Sequence, residues 1–534
     1  MRRALIAAAV GAALAAAGCA PSNPDAGSGG DGKGGADRIV IGTTADVENY
    51  NPLVGNSRTD SWVTDLMYPK LMGMDMQGRR TPYLATKWEY ADGGRTAKAT
   101  LRSDFTWSDG QKVTADDVVF TINAVAKEKI GVVAGLIPAF KSAKAVSPTE
   151  VEFTLSRPDG TFLENLGFWM PVVPEHVFGK APSVQKFAND KDWVSAGPYK
   201  LTKVERGQRY VLERVTPFPL APGGTPSLKE VVFRIFPDVN TEVLALRNGE
   251  IDMIGNVLPP ALAKTVQGNP EIKTVRVPSL GWGHMQYNLK RKPLDKLEVR
   301  QALAAAVDYE GIRRIAFGGS AVSSNSSVLT PTLKQWQDPA AKEYAHDPAK
   351  AKQLLTGAGY ADKDGDGLFD GLSLDMIYDQ ADPNIAKWAQ IVRDSSRQAG
   401  IDIKLKGMER NTYIAKSRDE HDFDIYAGSW AIMDNPPANL GLAFKCGGFI
   451  NYGQVCDDRL DALIDEAQRQ VDPAAARGPV QQAARIISEQ VYDNVLYVES
   501  FTIAHSAKWG NFVVQPSELL SILNPQSLAQ ARRS

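Results

Sequence analysis

The chain has 534 residues, 43% hydrophobic and 23% charged, with a formal net charge of -2. That length exceeds what one hydrophobic core serves, so two or three domains are expected, and the charge balance excludes the broad basic field with which nucleic-acid binders displace counterions from phosphate. With three cysteines, Cys19, Cys446 and Cys456, and five histidines, a thiolate-rich metal cluster is excluded and a histidine-rich one disfavoured.

The chain opens on Arg2 and Arg3, then an apolar stretch from Ala4 to Ala17, then Gly18-Cys19. A basic start followed by an apolar run shorter than the roughly 18 residues of a permanent membrane helix reads as a signal peptide over residues 1–18. Leu14-Ala15-Ala16-Ala17-Gly18-Cys19 resembles the bacterial lipobox, in which small residues precede a cysteine that is acylated before cleavage. Ala16 stands where leucine is commoner, and a soluble secreted protein cut near the same place is the alternative. Residues 19–37, rich in Gly, Ser, Pro and Asp, then read as a flexible tether. Each buried acyl methylene contributes about 0.8 kcal/mol, so a multiply acylated Cys19 would hold the body at the extracellular face of the cell membrane, on the periplasmic side where an outer membrane exists.

From Arg38 the chain alternates short apolar runs with helical patterns, an α/β or α+β reading. Arg38 to Gly42 and Glu150 to Leu155 read as strands. Thr114-Ala115-Asp116-Asp117 reads as a capping box that starts a helix over Val118 to Val125. The Pro-rich and Gly-rich stretch Pro217 to Pro226 is an expected boundary, as is Gly281-Trp282-Gly283, where flanking glycines would permit a hinge. Val299, Ala302, Leu303, Ala306 and Val307 line one face of a helix. Asp362-Lys363-Asp364-Gly365-Asp366-Gly367 copies the opening of a calcium loop, but Ser373 stands where the closing glutamate belongs, and a tight turn into a strand at Leu372 to Met376 is the better reading. Leu460, Leu463, Ile464 and Ala467 form another helical face, and Ala483, Ile486, Ile487 and Val491 the last. No internal repeat is present.

Cys446 and Cys456 bracket a Gly-rich loop in what is expected to be an oxidising compartment, so a disulfide is expected. A reactive free pair is the alternative. No Gly-x-Ser-x-Gly elbow, no His-Glu-x-x-His and no plausible cysteine nucleophile is present, so no enzyme is expected; a secreted hydrolase built on an acid pair is the alternative from another class. A surface adhesin would want repeats or exposed apolar segments.

Five segments together resemble the extracellular solute-binding proteins of the dipeptide and oligopeptide type, family 5. They are Leu101 to Gly110 running on through Thr114 to Phe120; Ser195-Ala196-Gly197-Pro198-Tyr199-Lys200-Leu201; Leu246-Arg247-Asn248-Gly249-Glu250-Ile251-Asp252; Tyr287-Asn288-Leu289 with Pro293-Leu294, Val299 to Leu303 and Val307-Asp308; and Phe423-Asp424-Ile425 to Trp430 with Asp434 and Pro436. The resemblance implies an α/β fold of the periplasmic-binding-protein-like type II, with two lobes and three domains joined by a hinge, the large peptide-binding (cluster C) architecture. Residues 38–80, 195–282 and 501–534 would form a discontinuous domain I, residues 81–194 an inserted domain II, and residues 283–500 domain III. It implies a monomeric receptor of an ABC importer, without cofactor, that delivers a solute, a peptide first, to permease subunits driven by a cytoplasmic ATPase. Oligosaccharides and nickel complexes are bound within the same fold, which does not by itself choose a ligand.

A peptide zwitterion needs an anion at one end of its site and a cation at the other. By resemblance Asp434 would meet the ligand's ammonium, with one extra residue between Trp430 and Asp434 relative to some members; the alternative is that Asp434-Asn435-Pro436 starts a turn. Arg418 would meet the ligand's carboxylate, although an arginine beside Asp419, Glu420 and Asp422 also reads as a solvated surface charge. Trp282, His284 and the loop Asn56-Ser57-Arg58 map near cleft-lining positions.

Overall fold

The computed structural model describes residues 37–534 except Asn56, Ala431, Ile432 and Glu518; the expected signal peptide, the expected lipidation site Cys19 and the expected tether up to residue 36 lie outside the described residues. Three sheets organise the chain. A seven-stranded mixed sheet runs Ile272–Pro278, Ser500–Ser506, Met253–Ile254, Arg38–Thr43, Glu230–Ile235, Arg209–Arg214 and Tyr199–Glu205. A four-stranded antiparallel sheet, Ala85–Ala91, Thr96–Leu101, Glu150–Leu155 and Phe140–Ser147, lies within the segment between its first and second strands in the chain. A five-stranded sheet runs Asp402–Met408, Ser373–Asp379, Ile425–Ser429, Gly283–Tyr287 and Asp493–Tyr497.

The strand Arg38–Thr43 is parallel to both neighbours, and its interior, Ile39 to Ile41, is continuously apolar because both faces are covered. Ile39 and Ile41 enter the core that joins the seven-stranded and four-stranded sheets into one lobe, whereas Val40 enters a smaller core on the opposite face. A separate core under the five-stranded sheet, with Met285, Trp388 and Tyr497, defines the second lobe.

The chain passes between the lobes at Pro278 to Gly283 and again at Tyr497 to Ser500. Neither Gly281 nor Gly283 has a positive φ. Gly283 is glycine because of crowding: a Cβ there would stand 2.0 Å from the Tyr497 ring. The two crossings are thus packed against each other, and a hinge at this point would turn about a tight contact rather than a loose link. The stretch Pro217 to Pro226, in contrast, is no boundary: it connects the antiparallel strands Arg209–Arg214 and Glu230–Ile235 within one sheet.

Local signals are realised where they are self-contained. Thr114 caps the helix Ala115–Glu128, and its own N–H donates to Asp117 at 3.0 Å. The helices Leu297–Ala306, Asp458–Arg469 and Pro473–Glu489 carry the expected faces, except that Val307 is the extended C-cap of the first and Val491 lies beyond the last with φ 48°. Asp362 to Gly367 forms an exposed turn in which the Asp362 carboxylate accepts from the N–H groups of Gly365 and Gly367.

The lobes are in contact. A fourth core contains Met74, Phe168 and Leu520 of the first lobe together with Trp336, Met433 and Val495 of the second. The Gly160 N–H donates to the Gln468 carbonyl at 2.7 Å, and a Cβ on Gly160 would stand 1.7 Å from the Gln470 oxygen, so the absent side chain permits the contact.

A candidate ligand cleft between the lobes

A cavity of 610 Å³ lies between the lobes at the two crossings. The first lobe contributes Arg58, Leu258 and Phe501, and the second Asp379, Asp382, Arg410, Tyr413, Tyr426, Trp430 and Tyr452; Ser279, Trp282 and Glu499 line it from the crossings themselves. Its volume falls within the roughly 300–1,000 Å³ of small-ligand sites.

Aromatic rings pave the second-lobe wall. Tyr413 and Tyr426 stack at 5.2 Å with planes 16° apart, Tyr426 meets Tyr452 edge-on at 5.0 Å, and Trp430 lies 5.6 Å from Tyr452. Alternation places Tyr426 and Gly428 on the cleft face of the strand Ile425–Ser429, with Ile425 and Ala427 in the core behind it. The Trp430 N–H donates to the Trp282 carbonyl at 2.9 Å, which ties the strand's end to the crossing. Burial holds the phenols of Tyr413, Tyr426 and Tyr452 above their ordinary range. Such surfaces take apolar stems, amide planes or cations on their faces.

Charges of both signs stand beside them. The Asp379 carboxylate accepts from Arg410 at 3.0 Å and from the Ala381 N–H at 3.0 Å; the Arg410 side chain is 70% exposed and the Asp379 side chain 8%. Asp382 caps the helix Pro383–Gln398, accepting from the Asn384 and Ile385 N–H groups.

The expected site residues divide. Trp282, Trp430 and Arg58 line the cavity together. Asp434 does not: its side chain, 1% exposed, is paired with the guanidinium of Arg80, itself 3% exposed, so its charge is already neutralised from within the protein. His284 is fully buried, its Nδ1 2.7 Å from the equally buried Asp493, and it packs under Trp282, Tyr426 and Trp430 as a support for the wall. Arg418 spends its guanidinium on Asp419 at 2.9 Å and lies 5.8 Å from the Phe449 ring, away from the cavity. Ser57 accepts from the Asp60 N–H as the cap of the helix Arg58–Asp65, and Asn56 lies outside the described residues. Sequence reasoning missed Asp379, Asp382, Arg410 and Tyr413. Asp382-Pro383 was readable as a helix start, but nothing local says which helix faces the cleft.

Cys446 and Cys456 are joined, with Cα atoms 4.4 Å apart. The bridged loop places Tyr452 in the cavity, and Asn451 braces it by donating to the Lys445 and Val455 carbonyls. Closing a loop of this length removes denatured-state entropy worth about 3 kcal/mol. Replacing both cysteines by serine is therefore expected to lower the unfolding free energy by that order and to move the urea midpoint down with it, and an unchanged urea curve would count against the bridge.

The sequence pattern of the "Bacterial extracellular solute-binding proteins, family 5 Middle" matches residues 80–451. The chain is 26% identical over 484 residues to the dipeptide-binding protein of Escherichia coli K12, covering 85% of this chain and 87% of that protein. It is also 26% identical over 498 residues to the nickel-binding periplasmic protein of the same organism, covering 89% and 92%. The crystal structure of the ABC transporter substrate-binding protein CtaP of Listeria monocytogenes superposes with a TM-score of 0.82 at 25% identity, over 94% of this chain and 99% of that one. The matched span runs through all three sheets, and the fold is the multi-domain type II architecture of such receptors. The chain belongs to the bacterial extracellular solute-binding proteins, family 5.

Proposed function

We propose that this solute-binding protein is a lipid-anchored receptor that captures a peptide between its lobes and delivers it to the permease of an ABC importer. It binds its solute without converting it, as its relatives do. The observation that carries the peptide reading is the composition of the cleft: aromatic faces for side chains and amide planes, with Asp379, Asp382, Arg58 and Arg410 offering both signs of charge to a zwitterion. On this reading Asp382 and the Asp379–Arg410 pair, rather than Asp434, would sort the ends of the ligand. Cys19, acylated, and residues 19–37 would keep this body beside its transporter.

Mass spectrometry of protein taken from membranes under native conditions tests both parts. An acylated chain beginning at Cys19 that carries a co-purified peptide is the expected result. Saturation with that peptide at 100 times its Kd should then stabilise the fold by about 2.7 kcal/mol. Stabilisation by a nickel complex or an oligosaccharide, with none by peptides, would overturn the ligand assignment, and turnover of the peptide would overturn the receptor role.

A further inference from the structure

A second cavity, of 790 Å³, lies beside the cleft. Lys129, Val132 and Trp169 line it from the first lobe, and Trp430, Phe449 and Ile450 from the second. Trp430 borders both cavities, so they meet at one side chain. The disulfide-bridged loop is also common to both, supplying Tyr452 to the cleft and Phe449 and Ile450 to the chamber. The chamber walls are largely apolar. Val132 and Phe449 stand on opposite lobes at 62% and 69% exposure, large apolar side chains left in water that a bound apolar group would cover. Lys129 is the charged residue among the described lining residues, and it follows the helix Ala115–Glu128 with φ 55°.

We infer that this chamber is a second subsite for the same solute: it takes the apolar end of a ligand whose polar end occupies the cleft, and Lys129 meets a carboxylate on that apolar end. The inference rests on the peptide reading, for which the occupant is the apolar C-terminal part of a peptide longer than two residues. Each cavity alone is of the roughly 300–1,000 Å³ that a single small ligand fills, so a dipeptide held in the cleft leaves the chamber vacant.

Calorimetric titration of the mature protein with Ala-Ala and with Ala-Ala-Leu-Phe tests this. Covering two large apolar side chains should tighten binding about 30-fold, equivalent to about 2 kcal/mol. In the Val132→Asp/Phe449→Asp variant, whose sites are exposed enough to accept carboxylates without disturbing a core, that gain should fall below about threefold. Amidation of the tetrapeptide's C-terminus should weaken binding to the native protein about fivefold and leave Lys129→Asn unaffected, asparagine being suited to the left-handed backbone there. No gain on extension, or a gain that survives the double variant, overturns the subsite; an amide penalty that survives Lys129→Asn overturns the role of Lys129. If neither peptide binds, the peptide reading fails separately. Dodecanoate is then the probe: binding that the double variant loses at least tenfold retains the chamber as an apolar-anion site, and no binding overturns it.

Discussion

Replacing Asp434 by alanine is expected to cost about 3–5 kcal/mol of stability, because it strands a buried guanidinium. Arg80 lies over the Phe168 ring at 4.5 Å, and its Nε and Nη1 have no hydrogen-bond partner among the described residues, so Asp434 is its principal compensation. Glu164 is the neighbouring acid. Burial holds its carboxyl above the ordinary range, the Asp434 charge reinforces that and Arg80 opposes it, and its Oε2 accepts from Asn435 at 3.3 Å. Once Asp434 is gone, Glu164 would ionise more readily and recover part of the loss. Arg80 belongs to the first lobe and Asp434 to the second, so the pair also holds the lobes together. Chemical denaturation measures the effect, with Arg80→Met, Asp434→Leu and the double variant completing a cycle; the double variant should lose much less than the sum of the singles. An Asp434→Ala protein as stable as the native one would refute the assignment. The same variant should weaken free-amine and N-acetylated peptides equally. Selective loss of free-amine peptides would return Asp434 to the role of ammonium partner.

Stability is also expected to fall as pH rises from about 4.5 toward about 8, through Glu242. This residue of the helix Val239–Arg247 is fully buried against the central strand, and neither carboxylate oxygen has a hydrogen-bond partner among the described residues. Burial first, and the Asp238 charge second, push its carboxyl up to about 8 from an ordinary 4.5. Between those values the folded state holds a proton that the unfolded state has released, so each rise in pH favours unfolding. Below the lower value the two states are equally protonated and this loss vanishes. Across the full interval the difference amounts to about 4–5 kcal/mol, an upper bound if water reaches the site. Glu242→Met removes the titrating group at nearly constant volume. It should flatten this part of the stability profile and make the protein more stable than the native chain at pH 8. Parallel profiles for the two proteins between pH 5 and 8 would rule Glu242 out as the source.

The difference between what was legible and what was not follows the range of the forces involved. Thr114 with Asp117, the apolar faces of Leu297–Ala306 and Asp458–Arg469, and the continuous apolar run at Arg38–Thr43 are decided by residues within a turn or two of each other, and each was readable as a helix start, a helix face or a buried strand. Gly283 was readable as a special position, but not the crowding that requires glycine there: its partner, the Tyr497 ring, lies more than two hundred residues away. Pro217 to Pro226 looked like a boundary because turn composition is the same whether a chain leaves a domain or doubles back within a sheet.

Site residues divide in the same way. Family order drew attention to Trp282, Trp430, Arg58 and Asp434, yet whether a carboxylate meets solvent or an internal cation depends on what another lobe brings to it. Arg80 reaches Asp434 across 354 positions of sequence. His284 met its buried partner Asp493 across 209. By itself the sequence determined the family, the class of fold and the caps and faces of its helices, since these depend on local pattern repeated in order. The tertiary structure alone decided which charges face the cleft and which are consumed inside the protein, because the free energy of a charge is set by its neighbours in space and by its distance from water.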